Sequence, residues 1–134
     1  MTVSDQQRNA DRLRAALDAH RRGDVDGVLR LWSDTPVFHR GGPGTLGGTY
    51  RGANELADLL SRDSAIAQAM TGFESVDILA GEGHGAAVFT VTAERDGRAV
   101  GTSAAYAVRF DHHGRLQEGW FFVSDHSAWQ QIYG

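Results

Sequence analysis

Two side chains in this sequence stand where proton chemistry is possible. Asp125 follows the apolar run Trp120-Phe121-Phe122-Val123. A carboxylate turned inward among those rings is desolvated, which raises its pKa and fits it to act as a general acid or base near neutrality. The same aspartate could instead cap the turn after the strand, bonding the backbone of Ser127 or Ala128. His39 carries an imidazole, the side chain whose ordinary titration falls near neutrality. Its alternative is a half-buried histidine bonded to a backbone carbonyl beside a glycine-rich segment. Tyr50, Tyr106, Trp32, Trp120 and Phe122 are candidates to line an apolar pocket, with tyrosine and tryptophan adding a polar handle. Plain core packing is the other role open to each.

What the chain lacks narrows the chemistry further. All 13 basic residues are arginine, there is no cysteine, and 17 acidic residues leave a formal net charge of -4. A Schiff base, a phosphate-loop lysine, a thiolate nucleophile, a disulfide and a cysteine zinc site are therefore excluded. The acidic balance gives no general pull toward nucleic acid. Arg12, Arg14, Arg21 and Arg22 alternate with Asp11, Asp18, Asp24 and Asp26, the pattern of a solvated helix face. No apolar run approaches the roughly 20 residues needed to span a bilayer, and no secretory leader is visible, so no membrane association and a cytoplasmic location are expected. His112-His113 and His84 fall in turns, where adjacent imidazoles point apart, and no metal site is expected. The Gly41–Gly48 segment lacks both the order of a dinucleotide loop and a following Gly-Lys. A mobile loop at a pocket edge fits it better, and no cofactor is expected.

The elements that must position these groups are helices first and strands afterwards. Leu13, Ala16, Leu17 and His20 recur at helical spacing between Ser4 and Arg22, with Ser4 or Asp5 as cap. Gly23 ends that helix, and Asp24 caps a second, short one carrying Val25, Val28, Leu29 and Trp32. Pro36–His39 reads as a short strand. A third helix runs from about Ala53 to Arg62 on Leu56, Leu59 and Leu60, with weak helical spacing onward to Met70. Period-two segments follow at Phe73–Ala80, Gly85–Arg95, Arg98–Phe110 and Arg115–Ser124. Asp96-Gly97 is the strongest hairpin signal among them. Alternation puts Glu118 and Trp120 on one face and Asp125 on the other. The whole, residues 1–134, reads as one α+β domain in which a bent antiparallel sheet and its helices enclose a cavity.

Four stretches carry a family resemblance. Ala16–Val28, with its central Arg22-Gly23-Asp24, resembles the helix-Gly-Asp-helix opening of the SnoaL-like, nuclear-transport-factor-2-like superfamily, which includes ketosteroid isomerase. Phe38–Gly44 with Leu46–Gly52 is similar to the family's first strand and the following G-x-Y-x-G segment. Gly114–Trp120 resembles its G-[KR]-I-x-E-x-W strand. Asp125–Trp129 with Ile132-Tyr133-Gly134 resembles its closing tail. The resemblance implies a cone-shaped curved sheet around an apolar pocket, and homodimerisation through the open sheet face. It also implies an acid/base role for Asp125, which here stands five residues after the tryptophan where many cyclases have four. His39 falls near the position of the isomerase's proton-shuttling aspartate.

The expected function is a cofactor-independent isomerase, cyclase or dehydratase acting on a small apolar carbonyl or polyketide-like compound. The alternative is a non-catalytic module for a hydrophobic ligand or for dimerisation. An epoxide hydrolase is a minority alternative; Arg109 could serve its Asp-Arg-Asp relay, but no aspartate pair at strand spacing accompanies it. An enzyme built on Asp125 and His39 requires both in one closed cavity. With Asp125 capping a turn in solvent and His39 facing outward, the enzyme reading largely fails.

Overall fold

Ser4 opens the first helix, α1 (Asp5–Arg21), by accepting the Gln7 N–H on its hydroxyl at 3.1 Å. Gly23 then turns the chain at φ 72°, a region that disfavours residues with a Cβ. Asp24 caps α2 (Val25–Leu31) by accepting the Gly27 N–H at 2.9 Å. These elements belong to a computed structural model that describes residues 4–41, 46–67, 70–125 and 127–128. Residues 42–45 of the glycine-rich segment, 68–69 in the weak helical continuation, and residues 126 and 129–134 of the family-like tail lie outside the described residues.

The remaining elements are β1 (Trp32–Arg40), β2 (Gly48–Arg51), α3 (Ala53–Ala67), β3 (Met70–Ala80), β4 (His84–Arg95), β5 (Arg98–Phe110) and β6 (Leu116–Val123). Trp32 is at once the C-cap of α2, its N–H bonded to the Leu29 carbonyl, and the first residue of β1. The short β2, unread in the sequence, lies at the end of the glycine-rich segment. The six strands form one curved, unclosed sheet in the order β2-β1-β6-β5-β4-β3. From β3 to β6 the sheet is the expected antiparallel meander, with Asp96 at φ 53° and Gly97 at φ 77° making the tight turn. It is not antiparallel throughout, because β1 pairs with β6 in parallel. Register shifts in β3, β1 and β6 mark irregularities of the kind that bend strands.

The helices cover one face of this sheet. Helix α1 packs on β3 and β4, α3 on β1 and β2, and α2 touches both helices. Leu13, Leu56, Leu59 and Leu116 are fully buried between the layers, each contributing about 1.5–3 kcal/mol through the area it removes from water. Alternation assigns Ala87, Phe89, Val91, Ala104, Val108 and Phe121 to this inner face. No helix among the described residues is long and apolar enough to cross a membrane.

One polar residue ties α1 to the β3–β4 turn. Asn9, only 3 % exposed, donates from Nδ2 to the carbonyls of Gly81 and Glu82, both at 3.0 Å, and accepts from Arg12 Nη1. Asn9→Ala strips partners from two carbonyls and a guanidinium. It is expected to cost about 1–3 kcal/mol, read as a lower urea midpoint at unchanged m-value.

Candidate functional site

Both long helices end an apolar stripe in a polar residue. On α1 the series Leu13, Ala16, Leu17 is completed by His20, and on α3 the series Leu56, Leu59, Leu60 is completed by Asp63. Spacings of three and four residues put every member on one helix face, so both polar groups point where the leucines point. On β1, Phe38 and Arg40 alternate inward in the same way. The three polar residues meet. His20 Nε2 lies 2.8 Å from Asp63 Oδ2, and Arg40 Nη2 donates to Asp63 Oδ1 at 3.1 Å. The Arg40 and Asp63 side chains are each 5 % exposed and His20 is 21 % exposed.

This cluster stands in the wall of an apolar pocket between the helices and the inner sheet face. About 670 Å³ is left unfilled there, counting the mouth. Ala16, Leu17 and Val28 line it from α1 and α2, and Leu56, Leu59 and Leu60 from α3. Phe89, Val91, Tyr106 and Phe121 line it from the sheet, with Trp32 and Phe38 of β1 completing an aromatic wall. The Trp32 and Phe38 rings meet edge-on at 6.0 Å, Phe38 lies 5.5 Å from Tyr106, and the Arg40 guanidinium sits 4.8 Å above the Phe121 ring.

The charge states follow from these contacts. Burial pushes the Asp63 carboxyl up. The hydrogen bond from His20, the charges of Arg40 and His20, and the Arg40 hydrogen bond outweigh it and hold the carboxyl well below the usual carboxylate range. An ionised carboxylate only accepts, so the imidazole presents its Nε2–H to Asp63. Among the described residues, Nδ1 has no hydrogen-bond partner. Burial pushes the Tyr106 phenol up, so it is a neutral hydroxyl.

Of the seven site residues expected from sequence, the structure brings Trp32 and Tyr106 to this pocket. Asp125 is exposed, and its Oδ1 accepts the Ala128 N–H at 3.0 Å, the capping arrangement that was its alternative. Tyr50 leans on the core and donates to the Leu46 carbonyl at 2.7 Å. Phe121 and Gly119 face inward on β6, so Glu118, Trp120 and Phe122 face outward. His39, neighbour of the inward Arg40, is outward too. Its ring stacks on Trp120 at 5.6 Å, its Nε2 lies 2.7 Å from Glu118 Oε2, and its Nδ1 lies 3.1 Å from Thr49 Oγ1. The His39 hydrogen bond, against an opposing effect of burial and with help from Arg109, holds Glu118 below the usual carboxylate range. Arg109 is committed to Glu118 on that outer face at 3.4 Å.

The imidazoles of His112 and His113 do not splay as expected; their centroids are 4.0 Å apart. Among the described residues, no group of three or more histidine, aspartate or glutamate side chains is placed to hold a metal ion.

Comparison with known proteins settles the family. The sequence profile of the SnoaL-like domain matches residues 13–119, most of the chain. The chain belongs to the SnoaL-like domain family. None of the curated proteins matches this SnoaL-like domain by sequence. Among solved structures it is similar to Bal32a from a soil-derived mobile gene cassette, with a TM-score of 0.84 at 19% identity over 98% of this chain and 100% of that one. An NTF2-like protein from Burkholderia xenovorans LB400 gives 0.76 at 20% identity over 96% and 98%. A steroid delta-isomerase from Pseudomonas aeruginosa gives 0.69 at 21% identity over 93% and 85%. At these identities the likeness concerns the fold.

Proposed function

We propose that this SnoaL-like domain is a small-molecule pocket protein that performs acid/base chemistry on an apolar carbonyl compound, of isomerase, cyclase or dehydratase type, without a cofactor. The observation that carries the proposal is the His20–Asp63 contact of 2.8 Å in the wall of an otherwise apolar pocket. The proton-transfer role expected for Asp125 and His39 passes in this reading to His20. Its Nδ1 takes a proton from the carbon next to the ligand carbonyl. The C–H electron pair moves into the enolate, and the imidazolium returns the proton to the enolate or to a leaving oxygen. Asp63 does not take up the proton; it fixes the tautomer and stabilises the imidazolium, with Arg40 holding its second oxygen. The pocket lining contains a single aspartate, so the Asp-Arg-Asp relay of an epoxide hydrolase finds no support among the described residues.

The test is hydrogen exchange of 1-indanone in deuterated buffer, followed by NMR. Exchange above the buffer rate that disappears in His20→Gln supports the proposal. Ligand-induced thermal stabilisation without exchange replaces it with the binding-module reading.

The expected homodimer belongs to the same proposal. Among the described residues, the large apolar side chains left exposed are Leu79, Val88 and Phe122, and all three lie on the outer sheet face. Val88 pairs across to Ala105 and Ala105 to Phe122, while Leu79 pairs to Ala86. Small alanines thus form a trough between larger ridges, a surface that a second copy can fill with its own ridge. Phe122→Arg is expected to shift sedimentation from dimer to monomer; an unchanged profile removes this interface.

A further inference from the structure

Tyr106 has an oxygen with no partner among the described residues. Among the described residues its hydroxyl makes no hydrogen bond, whereas the Tyr50 hydroxyl does. Neither is it sealed away from all space, since Tyr106 keeps some accessible surface while lining the pocket. Packed protein crowds the ring elsewhere, and Phe38 lies against it at 5.5 Å. A buried tyrosine ordinarily finds a partner for its hydroxyl, and leaving one unmatched is unfavourable. A ligand in the pocket that Tyr106 lines can supply that partner.

Its place relative to the charged cluster is set by strand register. Tyr106 on β5 pairs with Phe121 on β6, and Phe121 pairs with Arg40 on β1. Tyr106 and Arg40 thus stand in one transverse row, two strands or about 10 Å apart at the backbone, with the Phe121 ring between them as an apolar floor. A molecule lying on that floor meets a neutral hydroxyl at one end and the His20–Asp63–Arg40 cluster at the other.

We infer that Tyr106 is the specificity-determining residue of this pocket: its hydroxyl receives the oxygen of a small, uncharged apolar ligand lying on Phe121, so that carbonyl- or hydroxyl-bearing compounds are selected over the hydrocarbons of the same shape. The inference deepens the reading above, because it places the ligand oxygen, but its consequence is read from binding and not from turnover.

The experiment compares 1-tetralone with tetralin, which share a bicyclic frame and differ in one carbonyl, by equilibrium binding to wild type and Tyr106→Phe. Wild type is expected to bind the ketone about five- to tenfold more tightly than the hydrocarbon. In Tyr106→Phe the preference collapses because the ketone weakens while tetralin is unchanged. The inference is overturned if wild type does not distinguish the two ligands, if the preference survives in Tyr106→Phe, or if both ligands weaken equally, which would make Tyr106 a wall residue. The melting temperature of the ligand-free variant is a second readout. Removing an unbonded hydroxyl leaves it equal or raises it, and a fall would mean that the hydroxyl is bonded inside the protein. A protein that keeps this preference but exchanges no ketone protons loses the catalytic reading and not this one.

Discussion

Asp63→Ala is expected to lower the stability of the protein by about 3–5 kcal/mol, because it takes the ion-pair partner seen at 3.1 Å from the buried Arg40 guanidinium. Both side chains are only 5 % exposed, so water offers little compensation. Arg40→Ala should have an effect of similar size from the other partner. Exchanging both for apolar residues of like volume, Asp63→Leu with Arg40→Met, is expected to recover much of the loss, since two buried charges vanish together. Urea unfolding of the four proteins checks this. Double-variant stability as low as the sum of the singles would show that the pair is not the cause.

The same pair sets an acid limit. The folded carboxyl titrates below its unfolded value, so its contribution is complete above the ordinary aspartate range near pH 4. It is lost progressively as pH falls below that range toward the folded value. Glu118, held down mainly by His39 on the outer face, acts in the same direction. Asp63→Asn should therefore flatten the decline of the urea midpoint on acidification.

His20→Gln is expected to slow ketone exchange on the order of 10²–10⁴-fold, the usual loss when a positioned general base is removed. Glutamine keeps a donor for Asp63 and the length of the side chain but has no basic nitrogen, so the fold is retained while the chemistry stops. Asp63→Asn leaves the imidazole in place but no longer fixes its tautomer, and a smaller reduction in rate is expected. His39→Gln and Asp125→Asn, both outside the pocket lining, are expected to leave the rate within about twofold. A large loss in Asp125→Asn, with His20→Gln still active, would return the role to the tail aspartate.

The helices, the meander and its hairpin were legible because each has a local cause: Ser4 and Asp24 as caps, Gly23 as a stop, Asp96-Gly97 as a turn. The alternation that puts Glu118 and Trp120 together on one face of β6 was legible as well. What escaped was the partnership of β1 with β6, since parallel pairing across some eighty residues leaves no mark in either segment. That omission concealed the site, because β1 contributes Arg40. The signal for His20 lay in plain view as the last member of an apolar stripe, where one polar residue among leucines reads as a stripe end. Asp63 was missed by one position, the third helix having been closed at Arg62. Each residue is weak alone; only the packing of α1 against α3 shows that two stripe ends coincide. Asp125 drew attention for the apolar residues before it, but a strand's hydrophobicity does not decide which way the next residue turns, and the Ala128 amide claimed it.

The parallel join also governs the order in which this molecule can assemble. The helices and β1 leave the ribosome early, and His20, Arg40 and Asp63 are near enough in sequence to find one another by local search. Yet β1 has a single, four-residue neighbour until β6 arrives, and Phe121 comes with it. The closure of so long a loop is slow and concentrates entropy cost in one late step. For most of its synthesis the chain thus holds two buried-type charges and an aromatic wall beside an open strand edge. During that interval it is most exposed to mispairing, and variants that weaken β6 should reduce the yield of folded protein more than its final stability.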